Sequence, residues 1–179
     1  ILAEYGHRVL ILEREKFPRD HVGESQLPTI SHLLYEMGVW DKVEAANFPI
    51  KIGATYRWGR TPELWDFEFV PFEIFQDEPR PAKFLGQRQS TAFQVDRALY
   101  DKILLDHAQE MGCRVFETTK VLSVDSSGDK VLGLKVMSED EEANELIGDD
   151  GRIQAKYYVD CSGEYGIIRR ALNVEIEAP

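Results

Sequence analysis

At 179 residues, 43% apolar and 11% aromatic, the chain can build one large core or two small ones. No run approaches the roughly 18 apolar residues that a membrane-crossing helix needs, and no basic segment, apolar run and small-residue cleavage site open the sequence, which reads as cytoplasmic. A formal net charge of −11 speaks against nucleic acid as a partner, because phosphate binding draws its affinity from clustered Lys and Arg.

The opening "ILAEYGH" sets Leu2 and Tyr5 at helical spacing before Gly6, so it reads as the last turns of a helix that starts upstream, and the chain is expected to be a fragment. "HRVLILE" (7–13) is continuously apolar and closes on an acid, the pattern of a parallel strand buried on both faces. "KFPRDHVGESQLP" (16–28) follows; two prolines and a glycine make it a stiff, irregular connection. Ile30, Leu33, Leu34 and Met37 predict a helix stopped at Gly38, and Val43 and Ala46 a shorter one. From Phe48 the period becomes two: "IKIGATYRWG", "LWDFEFVPFEIF" and "STAFQVD" predict antiparallel strands with one covered face. Their aromatics, Tyr56, Trp58, Trp65, Phe67, Phe69, Phe72 and Phe75, serve either as cross-strand packing or as the wall of an aromatic-substrate site.

Asp96 is placed to cap a helix carrying Leu99, Ile103, Leu104 and Ala108 along one side, closed by Gly112. Strands then run from Cys113 to Ser138 with a turn at 126–129, and "RIQAKYYVDCSG" returns as a strand, giving a three-stranded antiparallel flap. Between them the acidic stretch 138–150 reads as a solvated hairpin tip. Cys113 and Cys161 lack partners at metal-ligand spacing and read as reduced packing residues, with no metal site. The fold class expected is α/β, a Rossmann-like dinucleotide-binding domain (1–47 and 94–179) interrupted by an antiparallel β lobe (48–93) and truncated at both ends.

Glu13 stands where the second strand of a dinucleotide fold presents a carboxylate to ribose hydroxyls; a solvated acid at a strand end fits the local pattern equally well. The glycine-rich turn belonging to such a strand is expected about 20 residues before its acid, which would put it upstream of Ile1.

"ILAEYGHRVLILERE" with "KFPRDHVGES" and "LP", then "FQVDRALYDKILLDHAQEMGCRV" and "YYVDCSGEYGIIRRAL", together resemble the flavin-dependent halogenases and the wider FAD monooxygenases built like p-hydroxybenzoate hydroxylase. The "FPR-x-H-x-GES-x-LP" pattern is closest to the halogenase branch; "VDR" and "DCSG" mark flavoproteins in general. The resemblance implies FAD as cofactor, with Glu13 on the AMP ribose, Arg14 along the adenosine and the main chain of Val121 at adenine. It places Arg97 at the pyrophosphate, Asp160 and Gly163 in a turn that approaches the dinucleotide, and Gly23, Glu24 and Ser25 in a strap beside the flavin ring. Arg97 as a surface cap, Gly163 as an ordinary turn and Ser25 as a helix cap are the structural alternatives.

The resemblance also implies the reaction: reduced FAD and O2 give a peroxide at C4a of the flavin, which oxidises halide, and Lys51 carries the resulting hypohalous acid to an electron-rich arene. A buried lysine suits that task, since desolvation lowers an amine from its ordinary pKa of ~10.4 toward a neutral nucleophile. By periodicity alone Lys51, with Gly53, Thr55 and Arg57, lies on the polar side of an ordinary strand. The partners implied are an aromatic small molecule or carrier-protein-bound substrate, halide and a separate flavin reductase. The alternatives are an FAD hydroxylase, a geranylgeranyl-reductase-like flavoprotein, or a non-catalytic nucleotide-fold fragment.

Overall fold

The computed structural model of the protein describes residues 1–147 and 150–176. In chain order its elements are β1 (Leu10–Leu12), α1 (Pro28–Glu36), α2 (Trp40–Ala45), β2 (Ile50–Lys51), β3 (Gly53–Tyr56), β4 (Trp65–Glu68) and β5 (Ala92–Phe93). There follow α3 (Arg97–Glu110), β6 (Arg114–Phe116), β7 (Thr119–Ser127), β8 (Lys130–Ser138), α4 (Glu141–Ile147), β9 (Arg152–Ile153) and α5 (Ile167–Ala171). They form two compact units: Ile1–His7 with Phe17–Gly112, and Arg8–Lys16 with the chain from Cys113 onward. Among the described residues no helix is long and apolar enough to cross a membrane.

In the first unit, α1 opens on Pro28, where the missing N–H costs no helical bond. It closes as its spacing predicts: Gly38 takes φ +71° and the N–H of Val39 reaches back to the Leu34 carbonyl. Leu34, Val39, Trp40, Val43, Phe48, Phe84, Phe93, Val95 and Tyr100 make one buried cluster, each large apolar side chain worth about 1.5–3 kcal/mol of burial. Asp96 caps α3 by accepting from the Ala98 and Leu99 N–H groups. The inward face of α3 is Tyr100, Ile103 and Leu104, while Leu99 is 45% exposed. The tyrosine ring takes the core position, one residue on from the stripe that counting Leu and Ile predicts.

The strand expected to start at Ile50 breaks at Ile52. β2 pairs antiparallel with β5, Ile50 opposite Phe93 and Lys51 opposite Ala92, whereas β3 pairs with β4, Gly53 opposite Glu68. Ile52 joins neither strand, and its carbonyl accepts from the N–H groups of Phe69 and Val70. The hairpin departs from the single covered face its alternation predicts, because every residue of β4 is exposed. Its aromatics pair with one another, Tyr56 stacking on Trp65 at 4.7 Å.

In the second unit β1 lies parallel to β6, Leu10 opposite Arg114 and Leu12 opposite Phe116. A parallel pair requires a long crossover, and α3 lies within the intervening sequence. The strand is half-buried rather than buried on both faces. The flap has the order β7-β8-β9, all antiparallel. Phe116, Val136, Ala143, Ile147 and Ile153 form its core. The acidic stretch is therefore more than a solvated tip: it winds into α4, whose i, i+4 pair Ala143 and Ile147 buries while the acids face outward. Gly148 and Asp149 of that stretch lie outside the described residues. The return strand is only two residues long, and Tyr157 and Val159 beyond it are 76% and 77% exposed. Among the described residues the 157–160 run has no neighbouring strand, so alternation alone does not make it one. Cys161 is exposed and Cys113 half-buried, both free, so only the latter matches a packing role.

Candidate functional site

The strap 17–28 is held in the first unit at several points. Phe17 is buried, and Arg19 stacks its guanidinium 4.5 Å from that ring while pairing with Asp101 at 3.0 Å. Farther along, the Val95 N–H donates to the Glu24 carbonyl and the Gln26 N–H to the Phe93 carbonyl, bridging Ser25 to Gln94. The strap thus adds an edge to β5, whose other side carries β2.

Lys51 lies on β2, and its amine does not point into bulk water. Nζ donates to the Ser25 hydroxyl at 2.7 Å and to the Gln26 carbonyl at 3.0 Å, and lies 5.2 Å from the Phe69 ring centroid. The side chain is half-buried. A cation held by two oxygens and an aromatic face is fixed in direction, which a solvated surface lysine is not.

Arg97 is the first residue of α3. Its Nε and Nη2 form a fork on Asp101, at 2.7 and 2.8 Å, and Nη1 donates to the Val22 carbonyl at 2.7 Å. Asp101 hydrogen bonding, opposed by desolvation, raises the Arg97 pKa. For Asp101 the largest single influence, desolvation, pushes upward, but bonds and charges from Arg97 and Arg19 prevail and hold it below the ordinary Asp range. Glu24 is likewise held low, by the backbone N–H groups of Glu24 and Gly23 and then by the Arg97 charge. Gly23 has φ +107°, and a Cβ there would come 3.0 Å from Arg97 Nη1. The backbone conformation favours glycine here, and any Cβ would in addition crowd the guanidinium. The first unit therefore brings Gly23, Glu24, Ser25, Lys51 and Arg97 together.

The second unit carries the other sequence-predicted residues. Glu13 closes β1, its N–H on the Phe116 carbonyl and its Oε1 accepting from the Glu15 N–H at 2.9 Å. Arg14 is largely exposed and pairs with Glu15 at 3.5 Å. Val121 pairs with Val136, and the register then slips so that Leu122 is the extra residue of a bulge, a place where backbone groups are freed from the ladder. Asp160 accepts from the Ser162 N–H and hydroxyl and, through its other oxygen, from Ile168 N–H at 2.8 Å. Desolvation raises its pKa most, but these bonds together outweigh it and leave the carboxyl below the usual Asp value. Gly163 sits at φ +67° with open space where a Cβ would be.

Sequence reasoning missed Asp101, Arg19, Gln26 and the placement of Phe69 against Lys51. The Arg97-to-Asp101 spacing of four on a helix was a readable signal; the others are long-range and leave no local trace. It also missed a buried ionic cluster, Glu44 with Arg88 and Arg80. Among the described residues no group of three His, Cys, Asp or Glu side chains is arranged to hold a metal.

Residues 1–179 match the FAD binding domain family over their whole length. The chain belongs to that family. A curated relative, 1H-pyrrole-2-carbonyl-[peptidyl-carrier protein] chlorinase of Pseudomonas fluorescens strain Pf-5, is 33% identical over 187 residues, covering 99% of this chain and 39% of its own length. The flavin-dependent halogenase CmlS has a similar structure, with a TM-score of 0.73, 35% identity, and coverage of 96% of this chain and 28% of its own. The myxobacterial chondrochloren halogenase CndH, an FAD-dependent halogenase, gives a TM-score of 0.64 at 37% identity, with 76% and 29% covered. The FAD-binding chain thus spans well under half the length of each of these proteins.

The residues present fit FAD chemically. Gly23 keeps a strap backbone free of side chain beside a guanidinium, and that guanidinium stands at the positive end of a fourteen-residue helix, the setting an anionic pyrophosphate favours.

Proposed function

We propose that the full-length protein is a flavin-dependent halogenase that uses reduced FAD, O2 and halide to halogenate an electron-rich aromatic compound, free or carried on a carrier protein. A separate flavin reductase supplies the reduced cofactor, and the enzyme works in the cytoplasm. The observation that carries this reading is the Lys51 amine held on the strap, 2.7 Å from Ser25 Oγ, in a chain whose relatives include a carrier-protein-dependent chlorinase. Residues 48–93 are the substrate lobe, and 1–47 with 94–179 the FAD-binding domain.

In this reading Gly23, Glu24 and Ser25 offer backbone and short polar groups to the flavin, and Arg97 offers its charge to the pyrophosphate. Glu13 and Arg14 serve the AMP ribose and adenosine, the main chain of Val121 serves adenine, and Asp160 and Gly163 form a dinucleotide-facing turn. Bound reduced FAD with O2 supplies the oxidising equivalents that convert halide to hypohalous acid. Lys51 then acts in either of two protonation states. As an ammonium it donates a hydrogen bond to the hypohalous oxygen and orients the halogen. As a neutral amine it attacks the halogen, so that an N–X bond forms as the O–X bond breaks and water leaves. The arene next takes the halogen, the N–X electron pair returns to nitrogen, and the ring proton departs. The Phe69 face beside Nζ limits access of water to the oxidant.

The test is product mass from the full-length enzyme supplied with reduced FAD, O2, chloride or bromide, and a pyrrole or phenol. Lys51→Met is expected to lower halogenated product on the order of 100-fold or more, while flavin oxidation continues. Chlorinated product at the wild-type rate refutes the lysine assignment; a halide-independent hydroxylated product replaces the reading with a monooxygenase.

A further inference from the structure

We infer that Ser25 is a positioning residue for Lys51, its hydroxyl fixing the lysine amine together with the Gln26 carbonyl; this rests on the reading of Lys51 given above. Two oxygens face Nζ, Ser25 Oγ at 2.7 Å and the Gln26 carbonyl at 3.0 Å, and the Phe69 ring lies on a third side at 5.2 Å. Both oxygens accept an N–H, and an ammonium with three or a neutral amine with two can donate to both at once. A hydroxyl that accepts an N–H in this way leaves the lone pair of a neutral amine free. Halogen transfer through nitrogen requires the neutral form for attack. With two N–H groups on the strap oxygens, the remaining position on nitrogen, a third N–H or the lone pair, is kept on one line of approach.

Both partners are fixed from the same strand. Lys51 is held opposite Ala92 by the β2–β5 pairing. Ser25 is held opposite Gln94 by the backbone bonds of Val95 to Glu24 and of Gln26 to Phe93. Their separation is therefore set by backbone register and not by a flexible loop. Arg97 adds a second fastening just upstream, donating to the Val22 carbonyl at 2.7 Å. A serine that only capped the following helix would show a bond to it, yet α1 has no side-chain cap and its flanking residue is Leu27.

The test uses the full-length holoenzyme and four forms: wild type, Ser25→Ala, Ser25→Thr and Ser25→Val. Threonine and valine have nearly the same shape and differ in the hydroxyl. Lysine acetylation by acetic anhydride, followed peptide by peptide by mass spectrometry without substrate, reads how tightly the amine is held. Halogenated product per FAD oxidised reads the consequence for chemistry. Alanine and valine are expected to speed Lys51 acetylation and to lower the product ratio, each on the order of tenfold, the factor that a lost hydrogen bond to a charged group carries. Threonine should restore both, and the other lysines should label as in wild type. If valine labels Lys51 as slowly as threonine does, or if alanine leaves the rate unchanged, Ser25 does not hold the amine. A general rise in labelling of all lysines in Ser25→Ala marks unfolding of that variant, and the threonine-valine comparison then decides. Should Lys51→Met halogenate at the wild-type rate, the reading of Lys51 fails; should it lose activity while the Ser25 variants label and couple as wild type, only the role of Ser25 fails.

Discussion

Replacing Arg88 with methionine isolates the energetic weight of the buried ionic cluster around Glu44. Arg88 is 0% exposed and Glu44 1%. Arg88 Nη2 donates to Asp77 at 3.0 Å and to the Glu78 carbonyl at 3.3 Å, and its Nε lies 3.7 Å from Glu44 Oε1. Removing one member of a buried pair costs about 3–5 kcal/mol, because the remaining charge is stranded away from water. Here Glu44 keeps two partners, Arg80 at 3.5 Å and the Ala82 N–H at 3.0 Å, and methionine fills much of the arginine volume. The low end of the range therefore applies, about 3 kcal/mol. For a chain of this size that is a fall of roughly 6–12 °C in Tm. Urea and thermal unfolding followed by tryptophan fluorescence suit the measurement, since Trp40 is buried in the adjoining core and donates to the Ala82 carbonyl. Glu44→Gln combined with Arg88→Met removes both charges and should cost less than the sum of the single changes, by about 1–3 kcal/mol. An Arg88→Met protein within about 0.5 kcal/mol of wild type, the range of ordinary surface substitutions, would refute the reasoning, as would strictly additive losses in the double variant.

Two further outcomes follow from the first unit. Asp101 titrates below its unfolded value, so its contribution to stability is fully present above an ordinary Asp pKa of about 3.9 and is lost as pH falls through the lower folded value. Asp101→Asn should flatten the acid limb of the pH–stability curve below about pH 4, and an unchanged limb in urea titrations at a series of pH values counts against the Arg97–Asp101–Arg19 network. Phe93 is 1% exposed, packs in the core with Trp40 and pairs across from Ile50; Phe93→Ala should cost about 3–5 kcal/mol in urea unfolding, and a loss below about 1 kcal/mol would mean that this core does not bear on β5.

Much of the fold was legible because its signals are local. A glycine in the left-handed region ends α1 at Gly38, and the Asp96 carboxylate caps α3; each needs only neighbours a few residues away. That β1 belongs to a parallel pair was legible too, from its uninterrupted apolar run; that its partner is β6, about a hundred residues on, came only from the structure. The failures are where partners decide. The run from Ile50 looks like one strand, but its two halves hydrogen-bond to segments on opposite sides of a long insertion, β5 and β4. The acids of 138–150 conceal the Ala143 and Ile147 pair, because net charge was weighed over the stretch and the helical phase was not. At 157–160 an apolar run had the composition of a strand without a described strand to bond to.

The same distinction governs the site. Gly23 could be singled out through the resemblance, as part of a strap stiffened by two prolines, and the structure adds a local reason: φ is +107° and a Cβ there would come 3.0 Å from the Arg97 guanidinium. Lys51 could not be separated from a solvated lysine by period, because a period of two names the face of a strand and not what stands opposite it. What stands opposite comes from Ser25 and Gln26, which precede the strand by a helix pair, and from Phe69, which follows it by a hairpin. Three separate segments meet at one nitrogen, and each is set there by backbone pairing: the strap along β5, Lys51 on β2, and Phe69 through the Ile52 carbonyl where the strand breaks. Ile52 thus falls opposite Phe69 in the register that β3 and β4 already keep, and that register brings an aromatic ring beside the amine. A change that moved the β3–β4 register by one residue would take the Phe69 N–H off the Ile52 carbonyl, and with it the ring that shields one side of Lys51.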